Sequence, residues 1–167
     1  FYLFFITIRD FFLKKNRSFS QNLSHFGFSL LILSILFNNV FSREVITNLK
    51  VGEVFDNNQF KIEFTDLKKF EQKNFISFKG YFLVTEKGLK NTFNPELRVY
   101  NQPNIITSEA DIITTFWKDK FITMNTLQNE DYFNIRYQVK PFMLWIWMSV
   151  LLITLGGTIS LFIRKYK

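Results

Sequence analysis

Residues 142–163 read FMLWIWMSVLLITLGGTISLFI, 22 positions without a single charge. A helix of that length rises about 33 Å, enough to cross a hydrocarbon core about 30 Å thick. Pro141 precedes the run, where a helix loses little by lacking an N–H. Trp145 and Trp147 lie near the same end, as side chains of a membrane–water interface do, and Arg164, Lys165 and Lys167 close the other. The pattern predicts a transmembrane helix over 141–163 with a basic tail at 164–167.

A second uncharged run covers 18–42. Its centre, 26–37, is strongly apolar; Gln21, Asn22 and Ser24 soften one end, Asn38 and Asn39 the other. A soluble amphipathic helix would carry charges along one face. None occur here, so a second span is predicted over 18–42. Before it, 1–8 is apolar but too short to span, and it lacks the basic start and cleavage site of a signal peptide. It reads as the end of a preceding helix, leading through a basic loop to residue 17. The first residue is Phe, and further sequence is expected upstream.

The net charge of +7 invites a nucleic-acid reading, but its distribution opposes one. Residues 43–140 are close to neutral, and the excess sits in Arg9, Lys14, Lys15 and Arg17 and in the basic tail. Positive charge beside membrane spans sets topology; it is not a groove for phosphates. Two crossings put both basic flanks on one side, cytoplasmic or matrix, and residues 43–140 on the other. With no Cys, disulfides and thiolate metal sites within this chain are excluded.

The intervening region reads as strands. Phe60, Ile62 and Phe64 alternate with Lys61, Glu63 and Thr65; Phe133, Ile135, Tyr137 and Val139 alternate with Asn134, Arg136 and Gln138. A period of two with one polar face marks half-buried antiparallel strands. Residues 76–84 suggest another strand, leading into a hairpin turn at Glu86-Lys87-Gly88. Asn94-Pro95 and Gln102-Pro103 mark further breaks. The expected fold class is membrane α + β. Two transmembrane helices, plus the tail of another, flank an antiparallel β-sandwich or barrel of about five to eight strands over 43–140, outside the membrane.

His25, the single histidine, lies near the basic end of the first span. Ionisable side chains there usually face a bundle or a cofactor, and neutral imidazole ligates haem iron. Equally, it is an interfacial histidine bonded to a neighbouring helix or to water. Gln21, Phe28, Ser29 and Ile32 are predicted to share its face. Gly156-Gly157 reads as a packing notch in the last helix. Glu96, Glu109, Asp111 and Asp119 could form an acidic site, although their spacing does not demand it. No phosphate loop, catalytic triad or clustered metal motif is present.

Four stretches resemble, in order, the C-terminal part of the CcmF family of cytochrome c-type biogenesis proteins, also called haem lyase subunits. Ser24-His25-Phe26-Gly27 resembles the family's Ala-His-x-Gly at the start of its penultimate helix. Lys50-Val51-Gly52-Glu53, followed by 60–64, resembles the Gly-Glu and aromatic strand that open its external domain. Pro95-Glu96-Leu97-Arg98-Val99-Tyr100 and Ser108-Glu109-Ala110-Asp111-Ile112 resemble Pro-Glu-Lys-Arg-x-Tyr and Thr-Glu-Ala-Ala-Ile. Lys140-Pro141-Phe142, Trp145-Ile146-Trp147, Leu155-Gly156-Gly157 and Arg164-Lys165-Tyr166 resemble its closing Lys-Pro-Phe-x-x-Trp-Ile-Trp, Leu-Gly-Gly and Arg-Arg-Tyr. Ser24, Leu97 and Asp111 depart from the pattern, and the family's Trp-rich segment and other histidines are not in this sequence.

The resemblance implies membrane-bound transfer of haem from a haem chaperone to apocytochrome c, where thioethers form with Cys-x-x-Cys-His. It implies haem lyase activity only within a complex of other cytochrome c maturation subunits, in a bacterial or mitochondrial inner membrane. It makes His25 one axial ligand of a resident haem b, serving electron transfer that keeps haem or thiols reduced. The second ligand would come from outside this chain. The alternative is a membrane-anchored scaffold whose β-domain docks partner proteins while His25 is structural. Membrane lipid is a partner under either reading; nucleic acid is not.

Overall fold

The computed structural model describes residues 2–13, 18–126 and 131–165. Lys14, Lys15, Arg17, Tyr166 and Lys167 of the predicted basic flanks lie outside the described residues. The chain divides into a helical unit and a β unit.

The helical unit holds α1 (Tyr2–Phe12), α2 (Phe19–Phe41) and α3 (Met143–Lys165), together with Thr115–Asp119. A capping box starts α2. Ser18 Oγ accepts from the Gln21 N–H at 3.4 Å, and Gln21 Oε1 accepts from the Ser18 N–H at 3.3 Å. The Ser42 N–H closes the helix on the Asn38 carbonyl. The faces of α2 are inverted relative to a soluble helix. Its buried positions are Ser20, Asn22, Gly27, Ser29, Leu30 and Ser34, whereas Phe28, Ile32, Ile35, Leu36, Val40 and Phe41 are exposed. Only 22% of its apolar window and 11% of that of α3 is buried, far less than the core helix of a soluble protein requires. Such helices hide small and polar side chains against each other and present large apolar ones to lipid. This is a membrane protein.

Gly27 lies where a Cβ would be 3.0 Å from the Ile153 backbone, and a Cβ on Gly156 would be 2.7 Å from the Ser24 backbone nitrogen. These two glycines let α2 and α3 approach closely; Gly157 faces open space and has no such role. The packing notch is therefore Gly156 alone. Helix α1 joins α2 through Thr7 Oγ1 and Ser29 Oγ, 2.8 Å apart, and through Phe4 and Phe26. Pro141 does not open α3: it ends a strand, Phe142 follows with φ of 61°, and the helix begins at Met143. The Pro141 carbonyl accepts from Asn38 Nδ2 at 2.6 Å, which gives one polar end of α2 its partner.

The described residues form ten strands, more than periodicity revealed. They are β1 (Arg43–Leu49), β2 (Val54–Asp56), β3 (Lys61–Glu71), β4 (Phe75–Glu86), β5 (Leu89–Phe93), β6 (Glu96–Tyr100), β7 (Ile105–Glu109), β8 (Asp111–Thr114), β9 (Lys118–Thr126) and β10 (Phe133–Pro141). One sheet runs β1-β10-β9-β8. The other runs β2-β3-β4-β6-β7, with β5 beside the far half of β4. Lys87 and Gly88, with φ of 50° and 80°, form the two-residue turn joining β4 to β5.

Alternation along the strands fills the core. Phe60, Ile62 and Phe64 meet Phe82, Val84, Phe93 and Leu97 of one sheet and Ile122, Met124, Ile135, Tyr137 and Val139 of the other. Phe64 stacks on Phe82 at 4.3 Å, and Tyr137 receives Phe60 edge-on at 5.1 Å. The result is a curled antiparallel β-sandwich. Its interior also admits charge: Lys120 Nζ is 2.6 Å from Glu86 Oε2 and donates to Asn91 Oδ1, with both ionic side chains under a tenth exposed.

Candidate functional site

His25 sits in the second turn of α2, and its surroundings follow from the motif around it. Ser24 donates to the Ile153 carbonyl at 3.4 Å, Phe26 turns to Phe4, and Gly27 meets α3. Three of the four residues are thus used in helix packing. His25 points away from that contact, exposed and with no hydrogen bond among the described residues. Gln21, Phe28 and Ile32 share its exposed face as predicted. Ser29 does not: it is 2% exposed and engaged with Thr7 and the Phe26 carbonyl. The hundred-degree step per residue leaves Ser29 at the edge of the face, and α1 covers it. The imidazole thus has apolar neighbours along one helix face and free ring nitrogens, the chemistry an axial haem ligand needs.

The acidic candidates separate. Glu96, Glu109 and Asp111 line one groove: Glu96 of β6 pairs directly with Glu109 of β7 on the six-stranded sheet, and Asp111 opens β8 of the other sheet. Asp119 belongs to the helical unit. Two cations, whose role the sequence did not reveal, offset most of the cluster's charge. Arg98 donates to Glu96 Oε2 through Nε and Nη2 at 3.2 and 3.1 Å, and lies 3.9 Å from Glu109. Lys79 Nζ is 3.5 Å from Glu96 Oε1. Burial works to raise the Glu96 pKa, but the Arg98 bond and both positive charges outweigh it and hold the carboxyl below its usual range. Asp111 accepts from the Asn94 N–H at 2.6 Å. These groups line an open groove of about 350 Å³. Glu96 and Asp111 are thus engaged by cations and a backbone donor, whereas Glu109 is half exposed and 3.9 Å from Arg98. The spacing of two between Glu96 and Arg98 was the available signal, because it puts both on one face of a strand.

Comparison with known proteins places this arrangement. The family model described as the CcmF C-terminal beta-sandwich matches residues 40–141, more than half of the chain. The chain belongs to the CcmF family. A cytochrome c-type biogenesis protein CcmF of Pseudomonas fluorescens is 29% identical over 88% of this chain and 22% of its own length. The cytochrome c-type biogenesis protein ccl1 of Rhodobacter capsulatus is 33% identical over 74% of this chain and 19% of its own. The chain thus spans about a fifth of these curated relatives. A solved structure of a cytochrome c heme lyase CcmF superposes with a TM-score of 0.65 at 16% identity, over 92% of this chain and 27% of that one. That likeness establishes the fold. Within CcmF, this chain corresponds to the C-terminal part. The CcmF-like motif at 95–100 lies on β6 and pairs with the first two residues of the motif at 108–112, which ends in β8.

Proposed function

We propose that this chain is part of a membrane haem lyase of cytochrome c maturation, with His25 one axial ligand of a resident haem b. The observation that carries the reading is the exposed, unpartnered imidazole of His25, set by a CcmF-like motif whose other residues are spent on packing. Phe28 and Ile32, 52% and 41% exposed on the same face, give the apolar flank a porphyrin requires. His25 is the only histidine, so a bis-histidine site takes its second ligand from outside this chain. A bound haem would supply one-electron chemistry; His25 would hold its iron, and the exposed face of α2 would position and shield it.

The substrate haem passes from a haem chaperone to apocytochrome c. Each vinyl group takes a cysteine S–H across its double bond, forming a thioether without loss of atoms. The complex lies in a bacterial or mitochondrial inner membrane, with both basic flanks cytoplasmic or in the matrix and the β unit on the opposite side.

Absorbance of the purified full assembly tests the ligand. His25→Ala should lose the b-type spectrum, and added imidazole should restore part of it. An unchanged spectrum in the variant removes His25 from the site. A scaffold reading has its own support, the direct pairing of Glu96 and Leu97 of one family motif with Glu109 and Ser108 of another. If it holds, Arg98→Glu should abolish capture of maturation partners while leaving the haem spectrum intact.

A further inference from the structure

The strands β8 and β9 are joined by a turn that closes on itself. The Thr115 N–H donates to the Lys118 carbonyl at 3.0 Å, and the Lys118 N–H donates to Thr115 Oγ1 at 3.2 Å. The turn thrusts Phe116 and Trp117 outward, 57% and 59% exposed. Paired exposed aromatics at a loop tip are a liability in water and call for a partner.

The turn is grouped with the helices, and it is tied to the start of α3. Trp145 Nε1 donates to the Phe116 carbonyl at 3.1 Å, and the Phe142 N–H donates to the Trp117 carbonyl at 2.8 Å. Trp117 stacks on Trp145 at 5.8 Å, while Phe116 meets Trp145 edge-on at 5.0 Å. The carbonyls of both tip residues are therefore satisfied, which removes part of the cost of placing an irregular turn in a low-dielectric layer. The Trp117 indole N–H has no hydrogen bond among the described residues. Beside this tip an apolar groove of about 160 Å³ opens between the helices, bounded by Phe4, Leu33, Phe37, Phe142 and Trp145.

We propose that the Phe116–Trp117 turn and this groove form an interfacial phospholipid site. Trp117 lies at glycerol depth and donates its indole N–H to a lipid ester or phosphate oxygen, and the groove takes an acyl chain. Continuity argues for lipid as the occupant. The aromatic cluster leads into α3, whose Trp147, Leu151 and Leu155 are more than half exposed, as lipid-facing side chains of a span are. A ring with an apolar body and one free donor is suited to that boundary. The site rests on α3 being a span, not on haem ligation.

The chain contains three tryptophans, at 117, 145 and 147. The test uses the whole chain in phosphatidylcholine vesicles, with lipids brominated either near the glycerol or at the chain ends. In the variant Trp145→Phe/Trp147→Phe, emission from Trp117 should be largely lost with the shallow label and far less with the deep one. Trp147 alone, in Trp117→Phe/Trp145→Phe, should also be quenched, as a lipid-facing side chain of the span. Unquenched Trp117 beside quenched Trp147 would overturn the lipid site and leave the span intact, as would cover by another protein helix. Unquenched Trp147 would remove the membrane reading and the site with it. A second probe avoids the paired Trp changes: the sequence has no Cys, so Phe116→Cys accepts a single nitroxide. Its relaxation should respond more to oxygen than to a polar nickel chelate, and the reverse order overturns the proposal.

Discussion

Lys120 and Glu86 show how much one residue can decide in this sandwich. Each is under a tenth exposed, and the lysine is held by one carboxylate and one amide. Lys120→Met removes the cation 2.6 Å from the buried Glu86 carboxylate, and should destabilise the β unit by about 3–5 kcal/mol in chemical unfolding followed by circular dichroism. Restoring neutrality with Glu86→Gln on that background should recover part of the loss. Tyr137 presents the opposite case. Its ring fills the core, yet its hydroxyl has no hydrogen-bond partner among the described residues. Burial, then the nearby Glu86 charge, pushes its pKa well above the ordinary tyrosine value. The folded state thus retains a proton that the unfolded state gives up in alkaline solution, and stability falls as pH rises past about 10, the unperturbed value. Tyr137→Phe should leave neutral-pH stability unchanged or higher and flatten that alkaline decline. An equally steep decline in the variant would assign it to other groups.

At the scale of elements, the helix pair rests on one glycine of two neighbours. A Cβ at position 156 would lie 2.7 Å from the Ser24 nitrogen and 2.8 Å from the Ser20 carbonyl oxygen, both backbone atoms that cannot swing aside. A Cβ at 157 meets nothing within 4 Å. Alanine gains similar helix propensity at either site, so the difference between the variants isolates the contact. Gly156→Ala should be less stable than Gly157→Ala by about 1–3 kcal/mol, the usual cost of overpacking, read as thermal unfolding in detergent. Hydropathy could find the pair Gly156-Gly157 but not which member touches α2, since that depends on helix rotation. The same boundary recurs elsewhere. Alternation located Phe60, Ile62 and Phe64 in the core because one face of β3 is buried there. It located β3, β4 and β10 but not β1, β6, β7 or β9, and β2 and β8, with three and four residues, are too short to display a period at all. His25 was legible as an exception in an apolar run; its freedom from partners was not, because that follows from where α1 and α3 lie. Arg98 and Lys79 escaped notice because the register of β4 against β6, which brings Lys79 opposite Glu96, is a long-range property.

For the molecule as a whole, sidedness is the property on which the functional proposal most depends. The β unit has its own apolar core and is joined in sequence to α2 at Ser42 and to α3 at Pro141. Both helices are long enough to cross a bilayer, and an even number of crossings returns the chain to its starting side. The segments 9–17 and 164–167 carry seven of the 21 Lys and Arg residues against a single carboxylate, whereas 43–140 is nearly balanced. Translocation selects against short basic segments far more than against a balanced folded domain. The β unit should therefore be on the outer side, as the haem-transfer proposal requires. In membranes with the outer face open, added protease should cut within 43–140 and spare a tag after Lys167. Opening the inner face should expose that tag. The reverse pattern would put His25 near the outer surface and the sandwich inside, and the haem-transfer proposal would fail with the topology.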